Sequence, residues 1–388
     1  MIENLIVRPV ELHDLDDVYD LSLMAQSGLS TLPKDKRLLE EKIQKSVDSF
    51  NHHISKAHDE LYLFVMVDLT IKKVVGLSGI LSNVGCYDSF YTYQRGECYH
   101  KDSKHSSLSH QVLTLSREPF QASELCTLYL HPEYRQCGAG RFLSLVRFLY
   151  MAGHIDRFRS TVIAELRGIS NEDGSCPFWD VVMKPFFEMS FSEADELSQK
   201  SFDFIEEYIP KTPIYVDLLP HSVQAVIAQV HPLTAAAERL LLSEGFHKTN
   251  YLDIFDAGPK YAAKLNQIKA YNRVKPCEVS MISSGLGSKN MYIVSAGCGE
   301  QVRYGCVQAR EQGALNSLSV KETLSMKALF DFGKILSYMR LHPKVRRSNQ
   351  VTVPVINNMT VSHSQSFSKL FSKWHDRVVR DEHYTFYR

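Results

Sequence analysis

No run of about 18 apolar residues occurs anywhere in the 388-residue chain, so a membrane-spanning helix is not expected. Net charge is absent too, with 44 basic residues against 44 acidic ones. That balance excludes bulk electrostatic attraction to nucleic acid or acidic membranes, so neither is an expected partner. The eight cysteines form no C-x-x-C pair, and free thiols in a reducing cytoplasm are the expected state. Histidines sit close together in HKDSKHSSLSH (His100, His105, His110), a polar stretch that reads as a solvated loop, so no metal site is expected. The start, MIENLIVRPVELHDLDD, lacks the basic beginning, apolar core and cleavage site of a secretory signal, which makes cytoplasm the expected location. There is no G-x-G-x-x-G opening a first βαβ unit and no Gly-Lys-Ser/Thr, so dinucleotide and P-loop sites are unsupported.

What is present is a mixed α/β pattern. LIVRPV reads as a strand, LHDLDDVYDLSLMAQ and LLEEKIQKSVDSF as amphipathic helices, and LYLFVMV, KKVVGLSGILSNV and the FYTYQ tract as strands. A polar loop then leads to SELCTLYL, a short buried strand. STVIAELRG is a further strand, and PFWDVVMKPFF opens with a proline suited to the first turn of a helix. TPIYVDLLP marks a break. SVQAVIAQV reads as a helix, and TAAAERLLLSEGFHKTNYLDIF as a capped helix, a glycine stop at Gly245 and a strand. Residues 277–330 are β-rich, and the stretch after Pro343 has no clear period.

The pivot is YRQCGAGRFLS. A strand leaves through Arg135, Gln136, Cys137, Gly138, Ala139 and Gly140 directly into a helix. Unpaired N–H groups at a helix start, approached closely because glycine has no side chain, make a place for phosphate. A plain connecting turn would use the same residues. The spacing R-x-x-G-x-G after a strand and before a helix resembles the acyl-CoA-binding turn of the GNAT acyltransferase superfamily. SELCTLYL, PEYRQCGAGRFLS, RFLYMA, VIAELRG, PFWD, PIYVDLLP, VIAQVHPLTAAAERLLLSEGF and DIFDAGP, with RPV and GLSTLP before them, are similar to the arginine N-succinyltransferase branch of that superfamily over roughly residues 3 to 340. The chain departs from it at SREPFQ, in its variant GLSTLP turn, and in the tail.

The resemblance implies an α/β (α+β) fold of tandem GNAT-like acyltransferase domains with a small β-rich C-terminal appendage. Residues 1–210 would be the acyl-CoA-binding domain, 211–343 the second GNAT-like half with the appendage, and 344–388 an unassigned tail. It implies succinyl transfer from succinyl-CoA, as co-substrate with no tightly bound cofactor, to the α-amino group of L-arginine. Alternatives are ornithine or another amine with a different acyl-CoA, or a non-catalytic acyl-CoA-binding interaction module. A homo-oligomer is left open. His231, in the V-H-P motif, would be the acid/base, although a histidine there also suits a helix cap. Leu125, Cys126 and Leu128 would lie along the acyl-CoA, with Arg135, Gln136, Gly138, Ala139, Gly140 and Arg141 at its pyrophosphate. Cys126 is read as a small buried residue and not as a nucleophile. Arginine needs a carboxylate for its guanidinium, for which Glu124, Glu165, Asp253 and Asp256 are candidates. The succinyl carboxylate needs a cation, for which Arg95 and Arg167 are candidates.

Overall fold

The computed structural model describes residues 2–25, 28–86, 90–101, 107–117, 121–135, 138–199, 203–276, 278–282, 290–297, 299–312, 317–321, 323–330 and 335–341. The 344–388 tail and Gln136 lie outside them.

Sixteen strands are described: β1 (Leu5–Pro9), β2 (Leu61–Asp68), β3 (Lys73–Leu81), β4 (Tyr91–Lys101), β5 (Ser107–Arg117), β6 (Ala122–Leu130), β7 (Thr161–Glu165), β8 (Ile214–Tyr215), β9 (His247–Leu252), β10 (Pro259–Lys264), β11 (Lys275–Pro276), β12 (Glu278–Ile282), β13 (Met291–Ala296), β14 (Arg303–Gln312), β15 (Ser317–Lys321) and β16 (Ile335–Leu341). They join in one sheet ordered β11-β16-β13-β14-β1-β2-β3-β6-β7-β10-β9-β4-β5-β8, with β12 and β15 attached through β14. The helices are α1 (Leu15–Met24), α2 (Lys36–Asn51), α3 (Ala139–Gly153), α4 (Lys184–Phe187), α5 (Phe191–Ser198), α6 (Asp203–Tyr208), α7 (His221–Gln224), α8 (Ala235–Glu244), α9 (Lys269–Asn272) and α10 (Leu324–Phe330). The architecture is the expected mixed α/β fold. The 247–264 hairpin completes the sheet begun by the first 165 residues, since β10 pairs with β7 and β9 with β4. The C-terminal strands extend that sheet beyond β1.

Local chemistry explains the helix limits. The Asp35 carboxylate accepts from the Arg37 and Leu38 N–H groups and starts α2, which turns Leu39, Ile43 and Phe50 inward. Gly245, at φ 104°, ends α8, and the Phe246 N–H reaches back to the Leu241 carbonyl. Phe246 then packs into the core that α3 shares with Tyr62, Phe64, Val162 and Tyr261. Arg8 of the RPV stretch makes a buried two-pronged pair with Asp14, both contacts at 2.7 Å, fixing the exit of β1.

Three local expectations are corrected. The polar stretch before SELCTLYL is not all loop, because β5 pairs with β4 along 11 residues of each strand. Its Ser, His and Gln content is poor strand material, and cross-strand pairing overrides that preference. SVQAVIAQV is helical only at α7. The chain then turns, with Ala228 at φ 60° and its N–H bonded to the Ala257 carbonyl. PFWDVVMKPFF contains a π-helical turn, Trp179–Met183, before the short α4.

Candidate functional site

The site grows from the parallel pair at the centre of the sheet. β6 and β7 pair at Ala122↔Thr161, Ser123↔Val162 and Glu124↔Ile163, and no further. Beyond that point β6 stays with β3, through Ile80↔Leu125 and Leu77↔Tyr129. β7 stays with β10 up to Glu165↔Lys260. Each strand keeps its outer neighbour and loses the inner one, so a crevice opens between them. Within it β6 bulges: Cys126 to Tyr129 is three steps against two from Gly79 to Leu77. Thr127 takes φ 51°, and its N–H is turned to the Thr31 hydroxyl at 3.2 Å. Behind the bulge is Arg147 of α3, 2% exposed. Its guanidinium donates to the Cys126 carbonyl at 3.5 Å, to the Ser144 carbonyl at 3.1 Å and to the Ser144 hydroxyl at 2.6 Å. Burial lowers its pKa to about 10, so it remains charged at neutral pH.

Leu125 is buried in the α3 core and Leu128 is packed against it. Cys126 is buried, and burial pushes its thiol pKa up to about 11, so the thiolate is scarce. At the end of β6, Arg135 is exposed and folded back, with Nε donating to the Leu130 carbonyl at 3.0 Å and its guanidinium 5.7 Å from the centre of the Tyr129 ring. Gly138 is the N-cap of α3 at φ 87°, and no side chain among the described residues caps this helix start. A Cβ at Gly138 would have only Ile2 Cδ1 near, at 4.0 Å, and one at Gly140 would have Leu130 Cδ2 at 3.6 Å. The turn is therefore open to an approaching group. Ala139 is buried, and Gly140 and Arg141 are half-buried.

His231 sits beside the outgoing end of β7. Its N–H donates to the Arg167 carbonyl at 2.9 Å, and its Nδ1 accepts the Leu233 N–H at 3.2 Å, capping a 3-10 turn over Pro232–Thr234. The capping role is thus present. The residue is also only 8% exposed. Burial and then the Arg167 guanidinium lower its pKa below the ordinary 6.5, while a hydrogen bond with the Ser170 backbone pulls the other way. His231 therefore rests neutral at pH 7. Arg167 donates to the Ser170 hydroxyl. It also packs against Gly28: a Cβ there would come within 2.9 Å of Arg167 Nε. The Gly28 N–H in turn donates to Asp195 of α5 at 3.1 Å.

The candidate carboxylates divide. Val162, Ala164 and Leu166 share the core of α3, whereas Ile163 joins Ala122 and Ala262 on the opposite face. By alternation, Glu124, Glu165, Arg167 and Lys260 lie on that second face. Glu165 pairs with the fully buried Lys260 at 3.0 Å, and Lys260 lies 5.0 Å from the Phe90 ring centre. Asp253 is tied into its own turn, accepting from the Phe255 N–H at 2.7 Å and the Asp256 N–H at 3.0 Å. Burial, then Asp256 and Glu165, hold its carboxyl well above the usual range. Asp256 latches the segment after β7 to the one before β10, accepting from Gly168 N–H and Gly258 N–H at 2.7 Å each. Arg95 is exposed and donates to Gln111 at 2.8 Å. His110 pairs with Asp217 at 2.8 Å, and His105 lies outside the described residues. No metal-ligating cluster and no helix long and apolar enough to cross a membrane occurs among the described residues. Residues not anticipated from sequence are Thr31, Lys42, Arg147 and Asp195. They reach the crevice through tertiary packing and carry no local pattern.

A family model described as arginine N-succinyltransferase beta subunit matches residues 5–270. An arginine N-succinyltransferase of Enterobacter sp. (strain 638) is 39% identical over 274 residues, covering 69% of this chain and 78% of the relative. One from Yersinia enterocolitica (serotype O:8, biotype 1B) is 41% identical over 269 residues, covering 68% and 77%. The solved structure of arginine/ornithine succinyltransferase subunit AI from Pseudomonas aeruginosa superposes with a TM-score of 0.77 at 30% identity, covering 87% of this chain and 98% of that one.

Proposed function

This chain belongs to the arginine N-succinyltransferase family and is an acyltransferase, and on that premise we propose that it transfers succinyl from succinyl-CoA to the α-amino group of L-arginine in arginine catabolism. The observation that carries the reading is the parting of β6 and β7 after Glu124↔Ile163, with the open start of α3 at one end and buried His231 beside the other strand. Residues 1–210 would then be the acyl-CoA-binding portion and 211–343 the part that closes the site and brings His231 to it. The cytoplasm is the proposed location.

The pantetheine arm lies along β6 at Leu125–Leu128, whose inner edge has no strand partner beyond Glu124 among the described residues and can pair with its amides. The pyrophosphate meets the N–H groups at Gly138–Gly140, with Arg135 and Arg141 as charge support. The neutral amine attacks the thioester carbon, a C–N bond forms, and an oxyanion develops on the former carbonyl oxygen. The nitrogen sheds a proton and the C–S bond breaks. His231 relays the proton: with Nδ1 accepting the Leu233 N–H, the neutral ring carries its proton on Nε2, so the shed proton enters at the Nδ1 lone pair in place of the Leu233 N–H while Nε2 gives its proton to the CoA thiolate. Charging the ring opposes burial and Arg167, so the imidazolium is a short-lived, strong acid. On the second face, Glu124 and Glu165 are the proposed partners of the acceptor's cationic end. Arg167 acts on His231, and Asp253 holds its turn.

The test is CoA thiol release with succinyl-CoA or acetyl-CoA against L-arginine or ornithine. Release requiring both succinyl-CoA and arginine is expected. A preference for ornithine would move the acceptor assignment to the second amine in the name of the Pseudomonas arginine/ornithine succinyltransferase. CoA binding without release for any pair would replace the enzyme reading with that of a binding module.

A further inference from the structure

Succinyl differs from a plain four-carbon acyl group by one free carboxylate, and an enzyme that selects it must supply a cation close to the reacting thioester. The β6 bulge lies between two cations on opposite faces of the sheet. Arg147, on the α3 side, is committed to Ser144 and to the Cys126 carbonyl. On the other side stands Lys42 of α2. It is half-buried, and its Nζ donates to the Thr31 carbonyl at 3.2 Å. Thr31 also takes the Thr127 N–H of the bulge through its hydroxyl. Lys42, the Gly28–Pro33 loop and the bulge are thus one connected unit. No carboxylate stands within ion-pair distance of Lys42 among the described residues; burial lowers its pKa from the ordinary lysine value, against the smaller opposing influence of Cys126 and Glu124.

Three other cations near the crevice each have a side-chain partner. Lys260 is paired with Glu165, Arg167 donates to Ser170 beside His231, and Arg95 is exposed on β4 with Gln111. A half-buried ammonium held by one backbone carbonyl is incompletely matched, and a carboxylate supplies what is missing. We propose that Lys42 binds the free carboxylate of the succinyl group, so that α2 and the Gly28–Pro33 loop select the acyl chain. This rests on reading the crevice as the succinyl-CoA site. It replaces Arg95 and Arg167 as candidates for that carboxylate. The same cation chemistry would also suit the α-carboxylate of the acceptor, and the experiment separates the two.

The measurement is kcat/KM for wild type, Lys42→Met and Lys42→Arg with succinyl-CoA and with butyryl-CoA, which has a methyl in place of the carboxylate. Arginine and agmatine, which lacks the α-carboxylate, serve as acceptors. With succinyl-CoA, Lys42→Met is expected to lose about 10- to 150-fold, the range for a hydrogen bond to a charged group. With butyryl-CoA it should stay within about threefold, which also reports an intact fold, and Lys42→Arg should recover part of the loss. An unchanged succinyl-to-butyryl ratio in Lys42→Met overturns the proposal. So does loss of discrimination between arginine and agmatine with the acyl preference kept. Wild type that transfers no succinyl removes the underlying reading instead, and this proposal with it.

Discussion

Two histidine–proline turns in this chain have nearly the same local form and very different surroundings. His131 precedes Pro132 at the end of β6, and His231 precedes Pro232 beside the end of β7. Their backbones lie at φ −51°, ψ 136° and φ −57°, ψ 137°. Each Nδ1 accepts a backbone N–H two residues on, at 3.4 and 3.2 Å. Each backbone N–H bonds a neighbouring segment, His131 to the Val75 carbonyl of β3 and His231 to the Arg167 carbonyl just past β7. A 3-10 turn follows in both, and a longer helix lies beyond it, α3 after His131 and α8 after His231. The difference is tertiary. His131 is half-buried against Tyr134, whereas His231 is buried with a guanidinium beside it. The His-Pro pair specifies a cap, and the packing around His231 adds the burial and the neighbouring guanidinium that lower its pKa.

Exchange of each histidine for alanine tests this comparison most severely. Both variants lose a cap, which costs about 1 kcal/mol of stability. Only His231→Ala is expected to lose turnover, by about 10²- to 10⁴-fold, with CoA affinity nearly unchanged. Equal turnover in the two variants would reduce His231 to a cap like its counterpart.

The helix ends sharpen the contrast. Gly138 and Gly245 both hold left-handed backbone, at φ 87° and 104°. Valine at either costs roughly 1–2 kcal/mol of stability for that conformation. Gly138→Val should in addition weaken CoA binding about tenfold or more, because a side chain fills the space before the N–H groups. Titration calorimetry giving the same CoA dissociation constant for both variants would remove the pyrophosphate from α3.

The smallest effect is in pH dependence. Because burial and Arg167 disfavour the charged His231 ring, the neutral resting form persists below the ordinary value of 6.5. Turnover should fall only as pH drops through that lowered value. Stability linked to the same ring is present above the ordinary value and is lost as pH falls through the folded one. Arg167→Gln should move the acid limb of the kcat profile upward, though not all the way, since burial remains the larger cause. A limb unmoved by this change would detach Arg167 from His231.

These pairs also show what the sequence made legible. Gly138 and α3 could be read locally, because a glycine turn between an apolar strand and an apolar helix has few alternatives. So could the stop at Gly245 and the burial of Cys126. β5 could not be, since its strand state comes from pairing with β4 and not from its own residues. Lys42 and Arg147 were invisible for a related reason. A lysine in an amphipathic helix and an arginine in an apolar one carry no chemistry until the bulge at Thr127 is placed between them. Asp253 suggested a substrate carboxylate, yet its oxygen is occupied by two N–H groups of its own turn. No residue pattern announced the parting of β6 and β7, which is a property of two strands keeping their outer partners.

The most direct measurement is a crystal structure of the protein with CoA bound. The expected result places the pantetheine between Leu125–Leu128 and β7, with the pyrophosphate on the N–H groups at Gly138–Gly140 and the thiol end toward the Thr127 bulge. CoA bound elsewhere, with β6 and β7 unchanged and the α3 start untouched, would contradict the account at its centre.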